Sequence, residues 1–153
     1  MSATQLILGP RPGKKSKDAI KAQGVTDIVT LLSLREQPES IKRIAVAIGA
    51  DWHHFELNGG HLETLAEVEL SRLFLLWDEI GRADGERIAY LHCSAGLHRT
   101  GFVAYLLLRR SGLSPDEAMI GLRSLREVTA EQVGDARIAL AEEKFVAWQA
   151  GSV

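Results

Sequence analysis

The run His92-Cys93-Ser94-Ala95-Gly96-Leu97-His98-Arg99-Thr100-Gly101 holds the only cysteine of the chain, and five residues separate it from an arginine followed by a hydroxyl residue. Upstream, Arg87 to Leu91 reads as a short strand of branched and aromatic residues, and downstream Phe102 to Arg110 reads as an apolar helix. The run is therefore a strand-loop-helix turn that ends at a helix N-terminus. Successive backbone N–H groups in such a loop, backed by the positive end of the helix, form a concavity suited to a tetrahedral dianion. Ser94, Ala95, Gly96, Leu97 and His98 supply that backbone. Arg99 adds a planar fork that can hold two oxygens of a phosphoryl group, which the point charge of a lysine cannot do.

The same surroundings act on the sulfur. A free thiol has a pKa near 8.5, and a helix N-terminus with nearby cations lowers it to roughly 3.5–7.5. Cys93 is therefore expected to be a thiolate at neutral pH. A thiolate facing a bound phosphoryl group can attack phosphorus, form a cysteinyl-phosphate and pass it to water. Thr100 is placed to donate a hydrogen bond to the sulfur and ease its departure in the second step. His92 is placed to orient the loop through backbone groups.

This pattern resembles the active-site signature of the cysteine-dependent protein phosphatases, in which His-Cys is followed by five residues and then Arg and Ser or Thr. The short chain is similar to the dual-specificity branch of the protein tyrosine phosphatase superfamily. The resemblance implies catalytic roles for Cys93, Arg99, Thr100 and His92, and a phosphorylated protein as substrate. Phosphotyrosine comes first, with phosphoserine and phosphothreonine also admitted by a shallow pocket. It implies no cofactor and no metal. It also implies an α/β fold, with a central, mostly parallel sheet flanked by helices and the phosphate-binding loop between a strand and a helix.

One departure concerns the general acid. Members of the family carry an aspartate on a loop after the third strand, roughly thirty residues before the nucleophile. Here that loop reads Leu57-Asn58-Gly59-Gly60-His61-Leu62-Glu63. Asn58 has the look of the aspartate's place, but an amide cannot give up a proton. His61 and Glu63 are the candidates, since a general acid is chosen by reach and tuned pKa. The missing aspartate also leaves open a phosphate-binding module without turnover. A phosphatase for a non-protein phosphate such as a phosphoinositide is a further alternative, although residues 94–98 contain no lysine to meet extra phosphates. His98 either adds positive charge at acidic pH or packs.

The rest of the chain is consistent with one domain spanning 1–153. Of its 153 residues, 46% are hydrophobic and 25% charged, enough for a single core. A net charge of −2 gives no general attraction to nucleic acid or to an anionic membrane. No apolar run approaches the roughly 20 residues of a membrane span, and a lone reduced cysteine points to the cytoplasm.

Along the chain, Gln5 to Leu8 reads as a strand, Lys17 to Gln23 as a helix stopped by Gly24, and Val25 to Leu32 as a buried strand. Arg35-Glu36, after the second strand, reads as a surface loop pair ahead of the alternative, a structural or substrate-recognition contact. A helix over Glu39 to Ile48, a strand over Trp52 to Leu57 and a helix carrying Leu70, Leu73, Trp77 and Ile80 follow. Ser114-Pro115-Asp116-Glu117 is a capping box with proline at the first helical position. Thr129 to Gln132 reads as a second box, opening a last helix that reaches Trp148. The scattered histidines His53, His54, His61, His92 and His98 lack the spacing of zinc ligands.

Overall fold

In the computed structural model, which describes residues 4–151, four strands form an all-parallel sheet. They are β1 (Gln5–Gly9), β2 (Asp27–Thr30), β3 (Asp51–His54) and β4 (Ile88–His92), in the order β1-β4-β2-β3. The expected sheet class holds. Alternation along the central strands sends side chains to opposite faces. Ile28 and Tyr90, neighbours in register, face one layer, whereas Val29 and Leu91 face the other.

The first layer is small. Helices α1 (Lys17–Ala22) and α2 (Glu39–Ile48) bury Ile20, Ile41 and Ala45 against Ile28, Leu32 and Tyr90. Gly24 and Gly49 stop these helices in the left-handed conformation, with φ of 78° and 75°. The second layer holds α3 (Leu62–Ala66), α4 (Leu70–Arg82), α5 (His98–Arg110), α6 (Pro115–Leu125), α7 (Glu127–Gln132) and α8 (Asp135–Gly151). Helix α5 is its axis. Every residue from Arg99 to Leu107 is buried, and α6, α7 and α8 pack around it. Each fully buried Leu or Phe in such a helix contributes about 1.5–3 kcal/mol.

Three sequence expectations change. Helix α5 begins at His98, one turn before Phe102, so Arg99 and Thr100 lie on its first turn rather than in a loop. The Ser114–Glu117 capping box forms reciprocally, but Thr129 is not an N-cap. It lies inside α7, fully buried, and its hydroxyl donates to the Gly96 carbonyl at 2.6 Å. The chain breaks instead at Gly134, whose φ is 88°, and α8 starts at Asp135. Third, Glu36 is not a solvated loop residue but pairs with the Arg99 guanidinium.

The amino ends of the strands are tied by an ionic cluster. Asp27, 1% exposed, accepts from Arg87 at 3.1 Å and pairs with His53 at 2.8 Å, and Arg87 reaches Asp51 at 2.9 Å. Burial works against the Asp27 charge, but its hydrogen bonds outweigh this and hold the carboxyl below its ordinary pKa. No helix among the described residues is long and apolar enough to cross a membrane.

Candidate active site

The carboxyl end of β4 delivers Cys93 to the mouth of α5, and the geometry around its sulfur follows from the helix. The Thr100 hydroxyl, one turn into α5, donates to Sγ at 3.1 Å. Burial alone would raise the thiol pKa. The Thr100 hydroxyl, the Thr100 and Gly96 backbone N–H groups and the Arg99 charge outweigh it, so the thiol titrates below its usual range. Replacing Thr100 with valine is expected to move the onset of Cys93 alkylation to higher pH. Iodoacetamide rates measured from pH 5 to 10 check this, since the thiolate is the reacting form and is lost as pH falls through the pKa.

The loop owes its shape to close backbone approach. Gly96 has φ of 74°, and a Cβ there would lie 2.3 Å from the Gly9 carbonyl oxygen. Only glycine meets both demands. Across the same contact, the Arg11 N–H donates to the Ser94 carbonyl at 2.8 Å, and the Tyr90 hydroxyl donates to the Pro10 carbonyl. From the other side, Arg126 Nη1 donates to Gly96 O at 2.9 Å beside the Thr129 hydroxyl.

His92 is held in one tautomer by elimination of roles. Trp52 Nε1 can only donate, and it donates to Thr30 Oγ1 at 2.9 Å. That hydroxyl hydrogen is then free for His92 Nε2 at 2.8 Å, which leaves Nδ1–H to donate to the Cys93 carbonyl at 2.8 Å. Complete burial pushes the imidazole pKa down to about 4. The unfolded chain protonates this ring near pH 6.5 and the folded chain does not, so stability falls as pH drops from about 6.5 to 4. The loss is about 3 kcal/mol. Thermal unfolding followed across that window checks it, with the slope expected to flatten in His92→Asn.

Arg99 is fixed by Glu36, whose place in a surface-like loop pair after β2 gives way to a salt bridge in the fold. Glu36, on a single 3-10 turn (Leu34–Glu36), grips the guanidinium with both oxygens, Nη1 to Oε1 at 2.7 Å and Nη2 to Oε2 at 2.9 Å. The Leu31 and Leu57 carbonyls accept from the same Nη1. The Arg99 bond and charge pull the Glu36 carboxyl down to about 2. Gln37, in the left-handed region at φ 56°, closes this turn. Arg11 holds it, donating to the Glu36 and Gln37 carbonyls and to Ser40 Oγ. Glu36→Gln is expected to cost about 1–3 kcal/mol of stability, because hydrogen bonds to a charged group are lost. Chemical denaturation measures that loss.

No hydrogen bond joins the general-acid candidates His61 and Glu63 to Cys93. Asn58 is exposed and follows Leu57, whose carbonyl binds Arg99. A Cβ on Gly60 would lie 3.0 Å from His98 Cβ, so this turn covers the start of α5, and Arg137 Nε fixes it through Gly60 O at 2.7 Å. His61 is exposed at the N-cap of α3, and no side-chain cap bond holds it there. Glu63 lines a separate cleft of about 420 Å³ with Glu56, Asn58, Glu67, Glu69 and Arg72. His98 is exposed, and partial burial together with the Arg137 and Arg99 charges keeps its pKa below the ordinary value.

Arg11, Thr30, Glu36, Trp52, Arg126, Thr129 and Arg137 escaped the sequence reading. The local signals were the pair Arg35-Glu36 following a buried strand and the Ser33-x-x-Glu36 capping-box pattern around it. Among the described residues no three of His, Cys, Asp and Glu stand close enough to hold a metal.

No protein-family model and no curated protein sequence matches the chain. Solved structures do match in fold. Tk-PTP in its active form has 23% identity and a TM-score of 0.68, covering 92% of this chain and 90% of its own. PTPMT1 in complex with PI(5)P has 16% identity and a TM-score of 0.67, covering 97% and 95%. The catalytic domain of the PP-IP phosphatase SIW14 from S. cerevisiae, in complex with citrate, has 13% identity and a TM-score of 0.67, covering 93% and 82%.

Proposed function

We propose that this chain, built on the protein tyrosine phosphatase fold, is a phosphomonoester hydrolase that works through a cysteinyl-phosphate. The observation that carries the reading is the pairing of a sulfur at the mouth of α5, whose thiol pKa Thr100 and the loop N–H groups lower, with an arginine whose orientation Glu36 fixes. In this reading Cys93 attacks phosphorus in line with the leaving oxygen. The N–H groups of residues 94–99 and the Arg99 fork take the charge on the equatorial oxygens. The Thr100 hydroxyl supports the departing thiolate when water cleaves the S–P bond. His92 stays neutral and acts as a positioning residue for the Cys93 carbonyl.

Phosphotyrosine is the preferred substrate class, because Asn58 stands at the place of the expected acid and a phenolate leaves without full protonation. Aryl phosphates are therefore expected to turn over faster than alkyl phosphates. The test is hydrolysis of p-nitrophenyl phosphate with acid-quench trapping of a phosphorylated Cys93. Phosphopeptide binding with no hydrolysis by the wild type would overturn the reading in favour of a binding module. A second reading, a non-protein phosphate, rests on the structural neighbours whose own ligands are a phosphoinositide and whose own substrates are inositol pyrophosphates. Parallel assays on the two substrate kinds separate them.

A further inference from the structure

The charge of the chain is divided. Residues 1–50 hold eight Lys and Arg against four Asp and Glu, and the remainder holds ten against sixteen. Two of those four acids, Asp27 and Glu36, are committed to Arg87 and Arg99. The exposed surface of α1, α2 and the loop before α1 is therefore strongly positive, with only Asp18 and Glu39 to oppose it.

The positive side chains converge on a groove of about 480 Å³, lined by Arg11, Lys14, Lys17, Ser40 and Arg43 over an aliphatic floor that includes Ile44. The side chains of Lys14, Lys17 and Arg43 have no hydrogen bond or ion pair to any described residue, so their charges at the groove are unspent. Arg11 forms the inner wall. Its guanidinium is already bound to the 36–40 segment, and its backbone N–H holds Ser94, the residue after Cys93. The groove thus adjoins the phosphate loop but shares no side chain with it.

We propose that this groove is a second anion site, taking a polyphosphorylated polyol either free or as the head group of a lipid. Its volume matches one substituted ring rather than an extended segment. Four cations around so small a space need clustered dianions. Acidic side chains on one face of an extended peptide recur only every ~7 Å. The acidic remainder of the chain repels the same ligand elsewhere.

The test is binding rather than turnover, and it uses Cys93→Ser protein so that the outcome does not depend on the hydrolytic reading. The protein is titrated calorimetrically with myo-inositol hexakisphosphate. Flotation follows, with phosphatidylcholine vesicles that do or do not contain phosphatidylinositol bisphosphate. Charge reversal at Lys14→Glu, Lys17→Glu and Arg43→Glu is expected to weaken binding by about tenfold or more. Lys14→Ala with Arg43→Ala, the milder change, is expected to weaken it about threefold, and unfolding midpoints report that each variant is folded. Binding of the soluble probe identifies a free ligand, and binding of vesicles alone identifies a lipid head group. Binding that survives charge reversal overturns the proposal. So does failure of both probes to bind, or tighter binding of an acidic phosphopeptide than of either probe.

Discussion

Cys93→Ser is expected to lower p-nitrophenyl phosphate turnover by about 10⁴-fold or more, the scale seen when a covalent nucleophile is removed. The hydroxyl is nearly the volume of the thiol it replaces. It accepts the same Thr100 bond, so the 3%-exposed site keeps its packing. What changes is ionisation. The loop N–H groups, Thr100 and Arg99 lower the pKa of a thiol that begins at about 8.5, whereas a serine hydroxyl starts several powers of ten further away. Phosphate affinity should survive, because the loop backbone and Arg99 are untouched. The checking measurement is a kcat loss with inhibition by inorganic phosphate within about threefold of wild type. Retained turnover would mean that the sulfur is not the nucleophile.

Arg99→Lys is expected to cost about 10²–10³-fold in kcat/KM, comparable to removing a transition-state hydrogen-bond donor. Charge is conserved in this change and geometry is not. Arg99 uses one edge of its guanidinium on Glu36 and on the Leu31 and Leu57 carbonyls, and the plane so fixed determines where its remaining donors point. A lysine can satisfy Glu36 or the phosphoryl oxygens, but not both in one plane. Steady-state kinetics on the aryl phosphate, with the unfolding midpoint as control, separate lost alignment from lost fold. Equal activity in the lysine variant would show that only charge matters there.

The part of this site that local chemistry dictates was legible in the sequence. The strand read over Arg87–Leu91 and found one residue on at Ile88–His92, the glycine stops at Gly24 and Gly49 and the Ser114–Glu117 box are each decided by neighbours within four residues. The start of α5 was misplaced because His98-Arg99-Thr100 is polar, and polarity there reflects the bound groups rather than an irregular backbone. Thr129 misled for a related reason. Its hydroxyl serves Gly96, thirty-three residues away, rather than its own helix. Glu36 lies sixty-three residues from Arg99; Ser33-x-x-Glu36 is a local capping box that ties the carboxylate to its own turn, but nothing local announces the distant guanidinium it grips.

The ionic cluster around Asp27 has a consequence for how this protein tolerates change. Asp27 opens β2 and Thr30 closes it, three residues or roughly 10 Å along the same strand. The first anchors a lock of charges and the second steadies His92 behind the nucleophile. Robustness and reactivity therefore occupy opposite rims of one sheet. Drift at the Asp27, Arg87 and His53 rim is free to retune how firmly the chain holds together, while the rim that carries the sulfur keeps its chemistry.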